Sequence, residues 1–254
     1  MTEKYEKINN VAPLANVTRL TQLIIQCQDR TSGLPGMGCF YGSAGLGKTF
    51  AGTYATNKFK AVHVEALPIG GVKGLLTMIV KELGLRPALV THALFVQAVE
   101  ELAISDRPLI IDEADHILTD KTIDIVRRLH DGSGVPVILM GEEDLPQKLQ
   151  RWGRVHSRML SWVGAEQATI KDVDHLAAIY ARGVSLSAEL KARLLAASRG
   201  SIRNAATNLS NVQNFAILKG LDKIDIDTWG NKPFHTGIAP PPRMYLESKR
   251  GGVA

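Results

Sequence analysis

The sequence predicts an α/β fold, with a parallel sheet sandwiched by helices over residues 1–170, a small all-helical domain over 171–230, and a flexible basic tail over 231–254. Three observations carry this expectation. Apolar runs alternate with amphipathic stretches through the first two-thirds of the chain, as strands crossing over through helices do. One of those runs opens directly into a glycine-rich loop. From about Asp172 onward the period is helical throughout, with no strand between the helices.

In chain order, residues 38–41 form a short apolar strand and residues 61–67 a second. Residues 74–83 read as a helix closed by Gly84, and residues 88–103 as another, with apolar positions at three- and four-residue steps. Residues 108–112 (PLIID) are a buried strand ending in acid, 116–130 a helix, and 135–140 (VPVILM) a further buried strand. Helices over 172–182, 187–198 and 201–219 follow, punctuated by Gly183 and Gly200. The tail holds Pro233, Pro240, Pro241 and Pro242, and sets Lys232, Arg243, Lys249 and Arg250 against Glu247.

With 45% hydrophobic and 22% charged residues, the 254-residue chain has enough apolar material for a sizeable core, which excludes a disordered, collagen-like or coiled-coil rod class. The net charge of +5 permits a nucleic-acid or other anionic partner without demanding one. Cys27 and Cys39 are expected to be reduced buried thiols, because no CxxC pair or second cluster accompanies them. The seven histidines show no HExxH or clustered spacing, so no metal other than magnesium is expected. Without an apolar run near the roughly 20 residues of a spanning helix, a cytoplasmic location is expected.

Gly42, Ser43, Ala44, Gly45, Leu46, Gly47, Lys48 and Thr49 satisfy G-x-x-x-x-G-K-[ST] between a strand and a helix. Glycines let the backbone wrap around phosphate oxygens with its N–H groups inward, and the helix start adds positive field. Lys48 supplies a point charge for the outer phosphates, and the Thr49 hydroxyl can ligate Mg2+. The strand ending in Asp112 and Glu113 places two carboxylates at the same sheet edge. Asp112 is expected to hold magnesium, and Glu113 to polarise the attacking water as general base. A nucleoside triphosphate is therefore the expected ligand.

After the next strand, Glu142 stands where such enzymes keep a polar residue near the γ-phosphate. Residues 146–158 then carry Lys148, Arg151, Arg154 and Arg158 with no acid. Arg158 sits where an arginine can reach a neighbouring subunit's nucleotide, and Arg203 opens a helix that can reach back over the phosphates.

The order GSAGLGKT, LIIDEAD, VILMGEEDL, an arginine in HSRML, then GSIRNA resembles an AAA+ ATPase. More narrowly, it resembles the ATPase regulators of DNA transposition, the B proteins of Mu-like phages and their transposon relatives, over roughly residues 11–219. The resemblance implies a P-loop core with five parallel strands, a helical lid, and ATP bound between them and between subunits. It also implies assembly into rings or helical filaments on duplex DNA, selection of target sites and stimulation of a transposase. Arg158 then matches the trans-acting arginine finger, Arg203 the lid arginine called sensor 2, and Glu142 the sensor 1 position. An ionised carboxylate cannot donate a hydrogen bond to phosphate, so slow hydrolysis is expected. The helix-turn-helix appendage of some relatives finds no room before the phosphate loop.

For DNA contact, the candidates implied by the resemblance are Lys73, Lys81, Lys121, Arg127 and Arg128. Singly each reads as a solvated charge, but a repeating assembly multiplies weak, sequence-tolerant and salt-dependent contacts. Trp152 and Trp162 are expected to pack at a domain interface. The alternative reading is a replicative helicase loader, which shares the core. A membrane-associated secretion ATPase is a third, disfavoured by the lack of a spanning helix.

Overall fold

The computed structural model describes residues 14–239. Five parallel strands form its centre: β1 (Met37–Tyr41), β2 (Val62–Glu65), β3 (Leu109–Asp112), β4 (Val137–Gly141) and β5 (Met159–Gly164), in the order β2-β3-β4-β1-β5. The inner strands are near-continuous apolar runs because helices cover both of their faces. Successive side chains point to opposite faces. Phe40, Ile110, Ile138 and Met140 join one core, with α1 (Ala15–Gln28) and α2 (Lys48–Phe59). Cys39, Ile111, Val137 and Leu139 join the other, with α3 (Gly71–Glu82), α4 (Thr91–Ser105) and α5 (Asp120–Ser133). Cys27 and Cys39 fall in different cores and are free buried thiols. Burial pushes the Cys27 thiol up to about 11 and raises that of Cys39 further, which leaves both protonated.

Several elements of the α/β region differ from the sequence expectation. The helix expected over 116–130 is broken: a 3₁₀ turn (Ala114–Ile117) follows β3, and α5 starts afresh where the Thr119 side chain caps the Thr122 amide. The basic stretch after β4 folds as two short helices, α6 (Leu145–Leu149) and α7 (Gly153–His156), which lead into β5. Finally, α1 covers the sheet beside α2.

The helical region holds α8 (Ile170–Tyr180), α9 (Ala188–Ser198), α10 (Ile202–Lys219) and α11 (Ile226–Trp229). Thr169 and Asp172 form a reciprocal capping box on α8, and Ser187 and Ser201 cap α9 and α10. Contrary to the expectation of helices alone, two-residue strands β6 (Ser185–Leu186) and β7 (Lys223–Ile224) pair in parallel beside them. The segment expected to be a flexible tail begins with a docked stretch. Phe234 stacks on Trp229 with ring centroids 5.1 Å apart, and the His235 amide donates to Asn208 Oδ1 at 2.7 Å. The rest of the tail, residues 240–254, lies outside the described residues.

No helix among the described residues is long and apolar enough to cross a membrane.

Candidate functional site

The carboxyl ends of β1, β3 and β4 meet at one edge of the sheet, where ligands of open α/β sheets bind. The phosphate loop leaves β1 there, and Lys48 begins α2. Gly45 has φ +85°, and a Cβ on it would meet Ser201 Oγ at 2.7 Å, so the loop passes under the start of α10 only without a side chain. The Arg203 amide and the Ser201 hydroxyl both donate to the Gly45 carbonyl, at 3.2 and 3.3 Å. The helical region is thereby tied directly to the loop.

Lys48 is 7% exposed, and its ammonium donates to the Gly42 and Ser43 carbonyls. Glu142 Oε1 lies 3.6 Å from the same nitrogen. Asp112 is buried, and its Oδ1 accepts from the Glu113 amide at 2.9 Å. Glu113 itself has φ +53°, a conformation that a non-glycine residue holds only when its surroundings impose it. Burial raises the Glu113 carboxyl above the ordinary glutamate range, and the neighbouring Asp112 and Glu142 charges push the same way against Lys48 and His116.

Lys48, Thr49, Glu113, Glu142 and Arg203 all line one cavity of about 550 Å³, within the usual range for small-molecule sites. The same cavity is also lined by apolar side chains, among them Leu14, Phe50, Leu176, Tyr180, Ile202 and Ala206, with Ser210 and Asn211 as further polar groups. Charged and apolar groups lining one cavity suit a nucleotide, with phosphates against the ammonium and amides and the base against apolar side chains such as Phe50 and Tyr180. A buried ammonium beside loop carbonyls also fits a polyanion, and Thr49 with Asp112 offers the oxygen ligands that Mg2+ prefers.

Sequence reasoning missed Asn16, Phe50, Tyr180 and His63. Buried Asn16 donates through Nδ2 to the Leu46 and Glu166 carbonyls, both at 2.8 Å, and accepts from the Glu166 amide at 2.9 Å. His63 Nε2, on β2, lies 3.9 Å from Asp112 Oδ2, and burial lowers its pKa against the pull of Asp112. None of the four sits in a motif. Only the fold brings them to the loop.

Arg158 does not reach this cavity. Its carbonyl accepts from the Met37 amide at the amino end of β1, and its Nε donates to Asp131 Oδ1 at 2.8 Å. Lys73, Lys81, Lys121 and Arg128 are exposed on α3 and α5. The guanidinium of Arg127, the remaining candidate, is largely buried between Asp124 and Asp131. Arg128 also pairs with Asp124, at 2.7 Å. Trp152 and Trp162 pack on the α3–α5 face within the α/β core rather than at a domain interface, and Trp152 Nε1 donates to Asp120.

Residues 31–149 match the AAA domain family. The chain has no match among curated proteins. Its fold is similar to that of Cdc6p from Pyrobaculum aerophilum, with TM-score 0.60 and 16% identity over 82% of this chain and 62% of that one. It is also similar to the Aeropyrum pernix Orc1 protein, solved in complex with DNA, with TM-score 0.59 and 17% identity over 84% of this chain and 62% of that one. The chain thus spans 62% of the length of each. At these identities the likeness speaks for the fold alone, and the family match is to an AAA domain over residues 31–149.

Proposed function

We propose that this protein is an ATP-dependent, DNA-binding AAA+ ATPase that assembles on duplex DNA, selects target sites and stimulates a transposase. The observation that carries the ATPase part is the convergence of Lys48, Thr49, Glu113, Glu142 and Arg203 on one cavity that is also lined by apolar side chains. Lys48 and the loop amides hold the phosphates, and Arg203 adds a second positive charge from α10. Magnesium, held by Thr49 and Asp112, would screen phosphate charge. Glu113 accepts a proton from a water aligned with the terminal phosphate, and its raised pKa makes it a better base than an ordinary glutamate. Glu142 brings negative charge to the same end and slows hydrolysis.

Arg158 acts on a neighbouring copy's nucleotide, which requires it to leave Asp131. ATP then favours assembly, and hydrolysis releases subunits. The exposed Lys73, Lys81, Lys121 and Arg128 contact phosphates of duplex DNA with little sequence preference, as the net charge of +5 permits. The fold likeness to a protein solved in complex with DNA supports this part of the reading. The transposase rests on the motif order from GSAGLGKT to GSIRNA.

Electron microscopy of the protein on duplex DNA, with and without a non-hydrolysable ATP analogue, tests the assembly. Nucleotide-dependent rings or helical coats are expected, and monomers under both conditions would refute it. Stimulation of a transposase in a strand-transfer assay is expected as well. Co-purification with a helicase and no effect on a transposase would instead support a helicase loader.

A further inference from the structure

Asp115 lies two residues beyond Glu113 and does not line the nucleotide cavity, yet both of its carboxylate oxygens are committed. Oδ2 accepts from the Glu142 amide at 2.8 Å, and Oδ1 accepts from the Lys148 ammonium at 2.9 Å. Asp144 holds the same ammonium at 2.8 Å. The side chain is 13% exposed, so water competes poorly for these bonds. The contact is close enough that a Cβ on Gly141 would collide with the Asp115 carboxylate. One residue on the other side of Ala114, the backbone of Glu113 is held left-handed, and its carbonyl accepts from the His116 amide at 3.0 Å.

The geometry points to Asp115 as a positioning residue. It clamps the turn that carries Glu113 to the strand end that carries Glu142, and so sets where both carboxylates stand at the phosphate end of the cavity. This role rests on the reading of Glu113 as the base. The hydrogen bond that Asp115 accepts from the Glu142 backbone amide fixes the strand end itself, so the clamp acts on geometry and not on nucleotide affinity. Misplacing a reacting group by about 1 Å can cost about 100-fold in rate.

The test compares steady-state ATP hydrolysis with calorimetric ATP affinity in the full chain. Asp115→Ala is expected to lower kcat by about 10- to 100-fold while the Kd for ATP moves by less than about threefold. Asp115→Asn, which keeps an oxygen for the Glu142 amide, is expected to recover most of the rate. Gly141→Ala, which displaces the carboxylate without removing it, is expected to reproduce the loss, and it keeps the test open if Asp115→Ala fails to fold. In a Glu113→Gln background, Asp115→Ala should cause little further drop, because the proton transfer that the clamp supports runs through Glu113. Unchanged kcat in Asp115→Ala and Gly141→Ala would overturn the proposal, as would losses that add fully to that of Glu113→Gln. Wild-type protein that binds no ATP and shows no hydrolysis would overturn the ATPase reading itself, and the positioning role with it.

Discussion

Asn16 offers a sharp test of how the phosphate loop is held. Asn16→Ala removes two donated hydrogen bonds and one accepted bond, all between 2.8 and 2.9 Å. The bond to the Leu46 carbonyl is buried, so that acceptor is left without a partner at a cost of about 1–3 kcal/mol. The two bonds to Glu166 are partly buried and water can replace them, which costs about 0.5–1.5 kcal/mol each. Together these predict a destabilisation of about 2–6 kcal/mol, read from urea unfolding by linear extrapolation. Because Leu46 sits in the middle of the phosphate loop, ATP affinity should fall in the same variant. Asn16→Asp should be at least as harmful at neutral pH, since a carboxylate would face the Leu46 and Glu166 carbonyls where an amide now donates. A loss below about 0.5 kcal/mol for Asn16→Ala, the range of an ordinary surface change, would refute this account of the loop's anchor.

The protonated form of Glu113 is favoured in the folded state, so its contribution to stability is fully present below the ordinary glutamate pKa and lost as pH rises through its own raised value. Glu113→Gln should therefore be more stable than wild type at pH 7, with the gain vanishing in acid, as chemical denaturation across pH will show. The same variant should keep ATP binding and lose hydrolysis. Trp229 packs edge-on against Phe215 at 5.4 Å and stacks on Phe234, so Trp229→Ala should cost about 3–5 kcal/mol and free the 232–238 segment to limited proteolysis.

The phosphate loop and the Asp112–Glu113 strand end were legible because their chemistry depends on contiguous residues at short spacing. Helix α1 was not read, although Leu20, Leu23, Ile24 and Cys27 repeat at helical steps, because it lacks a local start signal. Its N-cap is Leu14, and the amide of Ala15 is satisfied by Asp172 Oδ1 at 2.8 Å, a partner far away in the chain. Strand β5 was hidden for a different reason. It is the half-buried edge of the sheet, carries Ser161 and Trp162, and follows the basic α6–α7 stretch, so no apolar run announces it. Arg127 shows the limit of reading charge from sequence. Its partners Asp124 and Asp131 lie on the same helix at three- and four-residue spacing, a pairing visible in the sequence and passed over in favour of a DNA contact. The apolar part of the cavity lining could not be foreseen at all, because Leu14, Phe50 and Tyr180 come from three separate segments that only the folded chain brings together.

The most direct measurement of the central claim is isothermal titration calorimetry of the full chain with ATP and magnesium, beside Lys48→Ala. Saturable binding by wild type, lost or weakened by at least about tenfold (1.4 kcal/mol) in the variant, is the predicted result. Identical titrations for the two proteins, or no heat with any purine triphosphate in either, would contradict it.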